Sequence, residues 1–141
     1  MTQPRTETTA TVAITGLAHI GVRVHELERA LRFYELLGFT KMAGPLGPEP
    51  VAILEHPSGV VLNLILNAPR ASGPNVLMDV NEKHAGITHF VLLCPDILKA
   101  KARLEAAGVS LSGGPVRLSA EAQAIFVRDP DRNVIELHQR G

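Results

Sequence analysis

The stretch GLAHIGVRV (residues 16–24) returns as GITHFVLLC (residues 86–94), with the two histidines 70 residues apart. The glycines also coincide, and apolar residues alternate with others in both stretches, a pattern typical of β-strands. The correspondence runs on through a predicted helix to Gly38 and Gly108, and near the end of each half the spacing becomes 73 residues. The chain is therefore predicted to contain two copies of one structural unit.

Each copy is predicted to be a strand, a helix and three further strands. In the first copy we expect a helix over 26–37, ended by Gly38, and strands at 19–24, 39–43, 51–54 and 60–66. In the second copy we expect a helix over 96–107 with Asp96 as its N-cap, and strands at 89–94, 109–111, 124–128 and 134–139. Loops are expected at 44–50, 68–85 and 112–115, and the long second loop is a candidate lid or inter-unit linker.

The predicted fold class is α+β. Two βαβββ units, at about residues 16–68 and 86–139, form a curved, partly open barrel-like sheet with a helix on the outside of each unit. One unit is too small to bury its own sheet, so two must pack together within the chain or across a dimer. Residues 1–15 are expected to form a flexible N-terminal tail, and residues 16–141 a single domain.

The composition argues against nucleic-acid and membrane partners. Fourteen basic and 14 acidic residues give zero formal net charge, and the lack of tryptophan, with one tyrosine and four phenylalanines, offers little to stack on bases. Cys94 is the only cysteine, which excludes an intramolecular disulfide, and it is expected to be a small core residue. No apolar run approaches the roughly 18 residues of a membrane span. We therefore expect a cytoplasmic protein.

Four polar residues lie at equivalent places in the two predicted units. His19 and His89 are near the start of the first strand, and Asn63 and Glu136 interrupt apolar last strands. A buried carboxylate is costly unless it is paired or bound to a cation. Two imidazoles and one carboxylate suit Fe(II), Mn(II), Ni(II) or Zn(II), and Asn63 is a weak oxygen ligand or a contact for water or substrate.

Other interpretations of these residues remain open. The histidines are also explained as hydrogen-bonded core residues inherited by duplication. Glu136 is also explained by pairing with Arg23, which alternation places on the face of His19. We assign Arg23 and His138 to a substrate pocket, His138 because it shares a face with Glu136, although a solvated strand end explains Arg23 equally well.

These stretches, together with ALRFYELLGF (residues 30–39) and DPDRNVIEL (residues 129–137), resemble the vicinal oxygen chelate superfamily, the glyoxalase, bleomycin resistance protein and dioxygenase family. The resemblance covers roughly residues 16–139. It implies a divalent metal (Fe, Mn, Ni, Co or Zn) held by His19, His89 and Glu136, with Asn63 at the fourth ligand position. It also implies a homodimer, because in many relatives the cleft forms from units of two chains.

The sequence departs from the family at points that bear on the reaction. Glyoxalase I-like enzymes carry a glutamate where this chain has Asn63, and an amide cannot act as a base. The single tyrosine, Tyr34, lies on the apolar helix face, so ordinary ring cleavage is not supported either. No catalytic base is assigned.

Three functions follow from these observations. The leading hypothesis is a metal-dependent enzyme that chelates vicinal oxygens of a small-molecule substrate in a lyase, isomerase, transferase or oxygenase reaction. The alternative is a metal-free protein that binds or sequesters a drug or metabolite, as bleomycin-binding relatives do. A homologue with an inactive site is the third.

Overall fold

The computed structural model describes residues 10–70 and 73–141. Within these residues the chain forms two successive βαβββ units, which confirms the predicted order of elements. The first unit comprises β1 (Ile20–Arg23), α1 (Leu27–Leu36), β2 (Thr40–Leu46), β3 (Val51–Glu55) and β4 (Val61–Ile65). The second comprises β5 (His89–Leu93), α2 (Ile97–Ala106), β6 (Gly113–Arg117), β7 (Ala122–Arg128) and β8 (Val134–Arg140). Most of the segment predicted as an N-terminal tail lies outside the described residues.

Each unit forms one mixed four-stranded sheet, ordered β1-β4-β3-β2 in the first and β5-β8-β7-β6 in the second. The first strand runs parallel to the last, and the other neighbours are antiparallel. The registers of the two sheets correspond: Gly21 and Ile53 flank Asn63 as Val91 and Phe126 flank Glu136. The predicted α+β fold with two curved, unclosed sheets is thus confirmed.

One face of each sheet supplies the core. Alternate residues of β3 and β4 are fully buried, whereas in β7 and β8 neighbouring residues are buried as well. Leu62, Leu64, Ile125 and Ile135 are among the fully buried residues. They join buried residues of both helices in one hydrophobic cluster that spans the two units. Because neighbouring residues of a strand point to opposite faces, Asn63 and Glu136 lie on the other face of their sheets.

The helix ends behave as the sequence indicates. Gly38 adopts a φ of +98°, which suits a glycine after a helix. The Asp96 carboxylate accepts hydrogen bonds from the backbone N–H groups of Leu98 and Lys99, both at 3.1 Å, and so caps α2.

The two outermost strands, β2 and β6, differ from prediction. The strand expected at 109–111 is wrong, because β6 begins only at Gly113. The loops expected at 44–50 and 112–115 are wrong in part, because β2 continues to Leu46 and β6 includes residues 113–115. Both segments contain a Gly-Pro pair, which is typical of a turn but is also tolerated in edge strands and at bulges.

The glycines of these pairs explain why the strands continue. Gly44 and Gly114 have φ values of +98° and +76°, and a Cβ at either would collide with the carbonyl oxygen of Val51 or Ala124 on the neighbouring strand. The register shifts there, as expected for a β-bulge. The Gly-Pro pairs therefore bend the edge strands and do not end them.

A buried polar contact joins the two units. The Tyr34 hydroxyl donates to Asp129 Oδ2 at 2.7 Å, and both residues are almost completely buried. Arg29 of the same helix donates to Asp131 Oδ1 at 2.9 Å, and Asn133 Nδ2 donates to the Arg23 carbonyl at 3.1 Å. The 129–133 turn of the second unit is thereby held against α1 of the first. Burial raises the pKa of Tyr34 and of Asp129.

The connection between the units is tied to the second sheet. Asp79 accepts two hydrogen bonds from the Arg128 guanidinium, at 2.8 and 2.9 Å, which lower the pKa of Asp79 to about 2. Asn75 Nδ2 donates to the Arg132 carbonyl at 2.9 Å. The described part of the chain contains no helix long and apolar enough to cross a membrane.

Candidate functional site

The face of the second sheet opposite the core brings together a histidine and a carboxylate. His89 begins β5, and Glu136 lies in the middle of the neighbouring strand β8. His89 Nε2 is 3.2 Å from Glu136 Oε1. Phe126 lies on β7, the other neighbour of β8, and pairs with Glu136. Its ring centroid is 6.3 Å from that of His89, and the two rings meet edge to face. Glu136 is only 8% exposed, and these contacts offset the cost of burying its carboxylate.

Both members of this pair are oriented by further hydrogen bonds. His138 Nδ1 is 3.0 Å from Glu136 Oε2, and the Thr88 hydroxyl is 2.9 Å from His89 Nδ1. An ionised carboxylate only accepts, so His89 Nε2 and His138 Nδ1 donate to it, which leaves His89 Nδ1 to accept from Thr88. Each oxygen of Glu136 therefore has an imidazole partner.

Two contributors to this arrangement were missed in the sequence. Thr88 and Phe126 were not assigned to the site, although Thr88 immediately precedes His89. Ala18 occupies the position equivalent to Thr88 in the first copy. That difference between otherwise similar stretches was the available signal.

The other proposed metal ligands lie apart from this group. His19 is exposed and precedes β1, and Asn63 is half-buried in the centre of the first sheet. Among the residues that the structure describes, no group of three or more His, Cys, Asp or Glu side chains could hold a metal ion. A single chain thus brings together His89, Glu136 and His138, without His19 or Asn63.

Arg23 belongs to a separate polar cluster at the surface. Its Nε donates to Asn67 Oδ1 at 2.7 Å, and its Nη2 donates to Glu49 Oε1 at 3.2 Å. Hydrogen bonds from Asn67 and Arg23 lower the pKa of Glu49. The partners of Glu136 in the structure are His89 and His138, and Arg23 is not one of them.

Solved structures with the same architecture include three proteins of different descriptions. A glyoxalase family protein from Bacillus cereus matches with a TM-score of 0.70 at 19% identity, covering 93% of this chain and 97% of that one. TnmS3, an antibiotic binding protein from Streptomyces sp. CB03234, matches with a TM-score of 0.70 at 25% identity, covering 93% and 100%. The fosfomycin resistance protein FosX from Listeria monocytogenes matches with a TM-score of 0.70 at 17% identity, covering 92% and 94%.

The family assignment comes from the sequence itself. No curated protein sequence matches the chain. A family model, described as Glyoxalase/Bleomycin resistance protein/Dioxygenase superfamily, matches residues 16–137, which include the first unit, most of the second and the His89–Glu136 pair. The chain belongs to the Glyoxalase/Bleomycin resistance protein/Dioxygenase superfamily.

Proposed function

We propose that this chain is a metal-dependent enzyme that holds a divalent metal with His89 and Glu136 and, from a second copy of the chain, His19. The observation that carries the proposal is the approach of His89 Nε2 to Glu136 Oε1, at 3.2 Å. An imidazole nitrogen and a carboxylate oxygen are a donor set that suits Fe, Mn, Ni, Co or Zn. The residues present therefore fit such a metal, but one chain supplies only part of a set.

The free edges of the two sheets support completion of the site by a second copy. β1 and β5 are each the outer strand of their sheet. Leu17 and Ile87, equivalent residues that precede these strands, are 80% and 86% exposed. Pairing β1 of one copy with β5 of another about a twofold axis would cover both edges, and it would bring His19 towards His89. A homodimer with two such sites follows.

The surrounding residues have distinct positioning roles in this proposal. With a metal bound, His89 would carry its proton on Nδ1 and donate it to the Thr88 hydroxyl, which leaves Nε2 free to bind the metal, and His138 holds the second oxygen of Glu136. A bound divalent metal would supply Lewis acidity to adjacent oxygens of a small substrate. Asn63 supplies amide donors and an acceptor for water or substrate but cannot take up a proton. The reaction is a lyase, isomerase, transferase or oxygenase reaction on a small molecule with neighbouring oxygens.

One observation favours a second candidate, a metal-free small-molecule-binding protein. Each oxygen of Glu136 already has a histidine partner, so the buried carboxylate is satisfied without a cation. The similar structure of TnmS3 is described as that of an antibiotic binding protein. In this case the sheet face that carries His89 and Glu136 would hold an organic ligand directly.

Metal content distinguishes the two candidates. We would measure metals by plasma mass spectrometry in the untagged protein, in His89→Ala and in His84→Ala, an exposed histidine that serves as the matched control. The first proposal predicts near-stoichiometric metal in the wild type and in His84→Ala and its loss in His89→Ala. Absence of metal from the wild type, even after reconstitution with Fe, Mn, Ni, Co and Zn, would contradict it and favour the binding protein.

A further inference from the structure

A cavity of about 550 Å³ lies between the two units, away from the Glu136 carboxylate. The end of α1 and the 56–60 turn line one side, and β5 and α2 line the other. Leu92 and Leu137 line it from the sheet face opposite Glu136. Among the described residues that line it, most are apolar, Arg103 is the only charged one, and none is acidic.

The internal repeat explains why this space is empty. Residues 33 and 34 of α1 are Phe33 and Tyr34, whereas the equivalent positions of α2 hold Arg103 and Leu104. On α1 the rings of Phe33 and Tyr34 are buried, and the Tyr34 hydroxyl donates a hydrogen bond to Asp129 in the 129–133 turn of the second unit. The smaller Leu104 leaves that volume unfilled.

The 56–60 turn, which faces α2 across the cavity, also lacks the polar contact that its counterpart, the 129–133 turn, makes with α1. The residue equivalent to Asp129 is His56, whose Nδ1 accepts from the backbone N–H of Ser58 at 3.0 Å within its own turn. The two turns have the same backbone hydrogen bonds, which confirms that the positions correspond. Within the described residues, no hydrogen bond joins the 56–60 turn to α2. Hydrogen bonds therefore join α1 to the 129–133 turn, whereas an apolar cavity separates α2 from the equivalent 56–60 turn.

We propose that this cavity is a ligand site for an amphipathic anion, with an apolar body inside and a carboxylate or sulfonate at Arg103. The volume lies within the range of small-molecule sites, roughly 300–1,000 Å³. Arg103 is exposed, and in the described part of the chain no acidic side chain pairs with it. An unpaired guanidinium beside an apolar cavity complements a ligand with one anionic end.

The first test measures binding of an anionic fluorescent probe to the full-length protein. We would titrate 8-anilinonaphthalene-1-sulfonate and displace it with decanoate or with uncharged decanol. The proposal predicts saturable binding of one probe per chain. In Arg103→Gln, affinity for the sulfonate and for decanoate should fall about tenfold or more, with little change for decanol. Lys99→Gln, which removes an exposed charge from the same helix, is the matched control and should bind as the wild type does.

A second set of variants locates the site. Leu104→Tyr copies the residue of the other half into the cavity and should abolish probe binding. If circular dichroism shows that it does not fold, Ala100→Leu fills the same cavity. Glu136→Gln should leave probe binding unchanged, so failure of the proposed function would not affect this result.

Three results would overturn the proposal. These are absence of saturable binding, equal affinity of Arg103→Gln for decanoate, and loss of binding in Glu136→Gln. Val91 and Leu93 line the cavity on the free edge of β5, where they are 48% and 62% exposed, and the proposed dimer would cover them. Arg103 lines the cavity from α2 and is exposed, so the proposal requires the probe to enter beside Arg103 in the dimer as well.

Discussion

The buried contact between Tyr34 and Asp129 should contribute measurably to stability. Tyr34→Phe removes the hydroxyl that donates to Asp129 Oδ2 at 2.7 Å, while Asn133 Nδ2 still donates to the same oxygen at 2.9 Å. A hydrogen bond to a charged group contributes about 1.5–3 kcal/mol, so we expect the free energy of unfolding to fall by about 2 kcal/mol at pH 7. The measurement is urea unfolding followed by far-ultraviolet circular dichroism at one fixed protein concentration, since a dimer would make stability concentration-dependent.

The same variant has a predicted pH dependence. Burial raises the pKa of Asp129 above its usual 3.8, so the stability associated with its protonation is present at acid pH and is lost as pH rises through the folded-state pKa. The Tyr34 hydroxyl lowers that pKa, so its loss raises the cost of ionising Asp129. The destabilisation by Tyr34→Phe should therefore shrink as pH falls towards 3.8, and it should be small in an Asp129→Asn background. A loss below about 0.5 kcal/mol at pH 7, or one that does not change with pH, would refute this reasoning.

Three further perturbations test other parts of the structure. Asp79→Asn should loosen the 73–85 segment from the second sheet. In the wild type the contact between Asp79 and Arg128 should weaken as pH falls from 3.8 towards the Asp79 pKa of about 2. Constant protection of the 73–85 amides over this range, after correction for the intrinsic pH dependence of amide exchange, would contradict this. Gly44→Ala should destabilise by about 1–3 kcal/mol more than Gly59→Ala, because the φ values are nearly equal (+98° and +97°) but only Gly44 faces a backbone collision. Equal melting temperatures would contradict it. If His89 binds a metal, Thr88→Val should weaken affinity about 10–100-fold in a chelator competition, and unchanged affinity would argue against a positioning role.

The internal repeat made the fold predictable. Alternation marked the strands, and the matched glycines and histidines aligned the two copies. The 73-residue spacing also predicted that Asn63 and Glu136 are equivalent, and the sheet registers confirm it. Edge strands β2 and β6 were harder, because their Gly-Pro pairs have the composition of turns and the bulge depends on the neighbouring strand.

The site was less predictable, because equivalence in a repeat does not determine distance. His19 and His89 are equivalent, yet His19 precedes β1 of the first sheet whereas His89 begins β5 of the second, and a single chain brings only His89 to Glu136. Arg23 binds Asn67 and Glu49, which lie in loops, and the alternation of residues along strands says nothing about loop residues. The cavity beside Leu104 depends on a volume difference between the two helices, and hydrophobic periodicity is insensitive to it.

Metal binding by a mixed dimer tests the central claim most directly. Differently tagged His19→Ala and His89→Ala chains would be co-expressed, the heterodimer isolated through both tags, and its metal content compared with that of each variant alone. If each site takes His19 from one copy and His89 and Glu136 from the other, the heterodimer keeps one of its two sites intact. That site combines His19 of the His89→Ala chain with His89 and Glu136 of the His19→Ala chain. The account predicts about one metal ion per heterodimer and none in either variant alone. A heterodimer as empty as the two variants, beside a fully loaded wild type, would contradict a metal site shared between two copies of this chain.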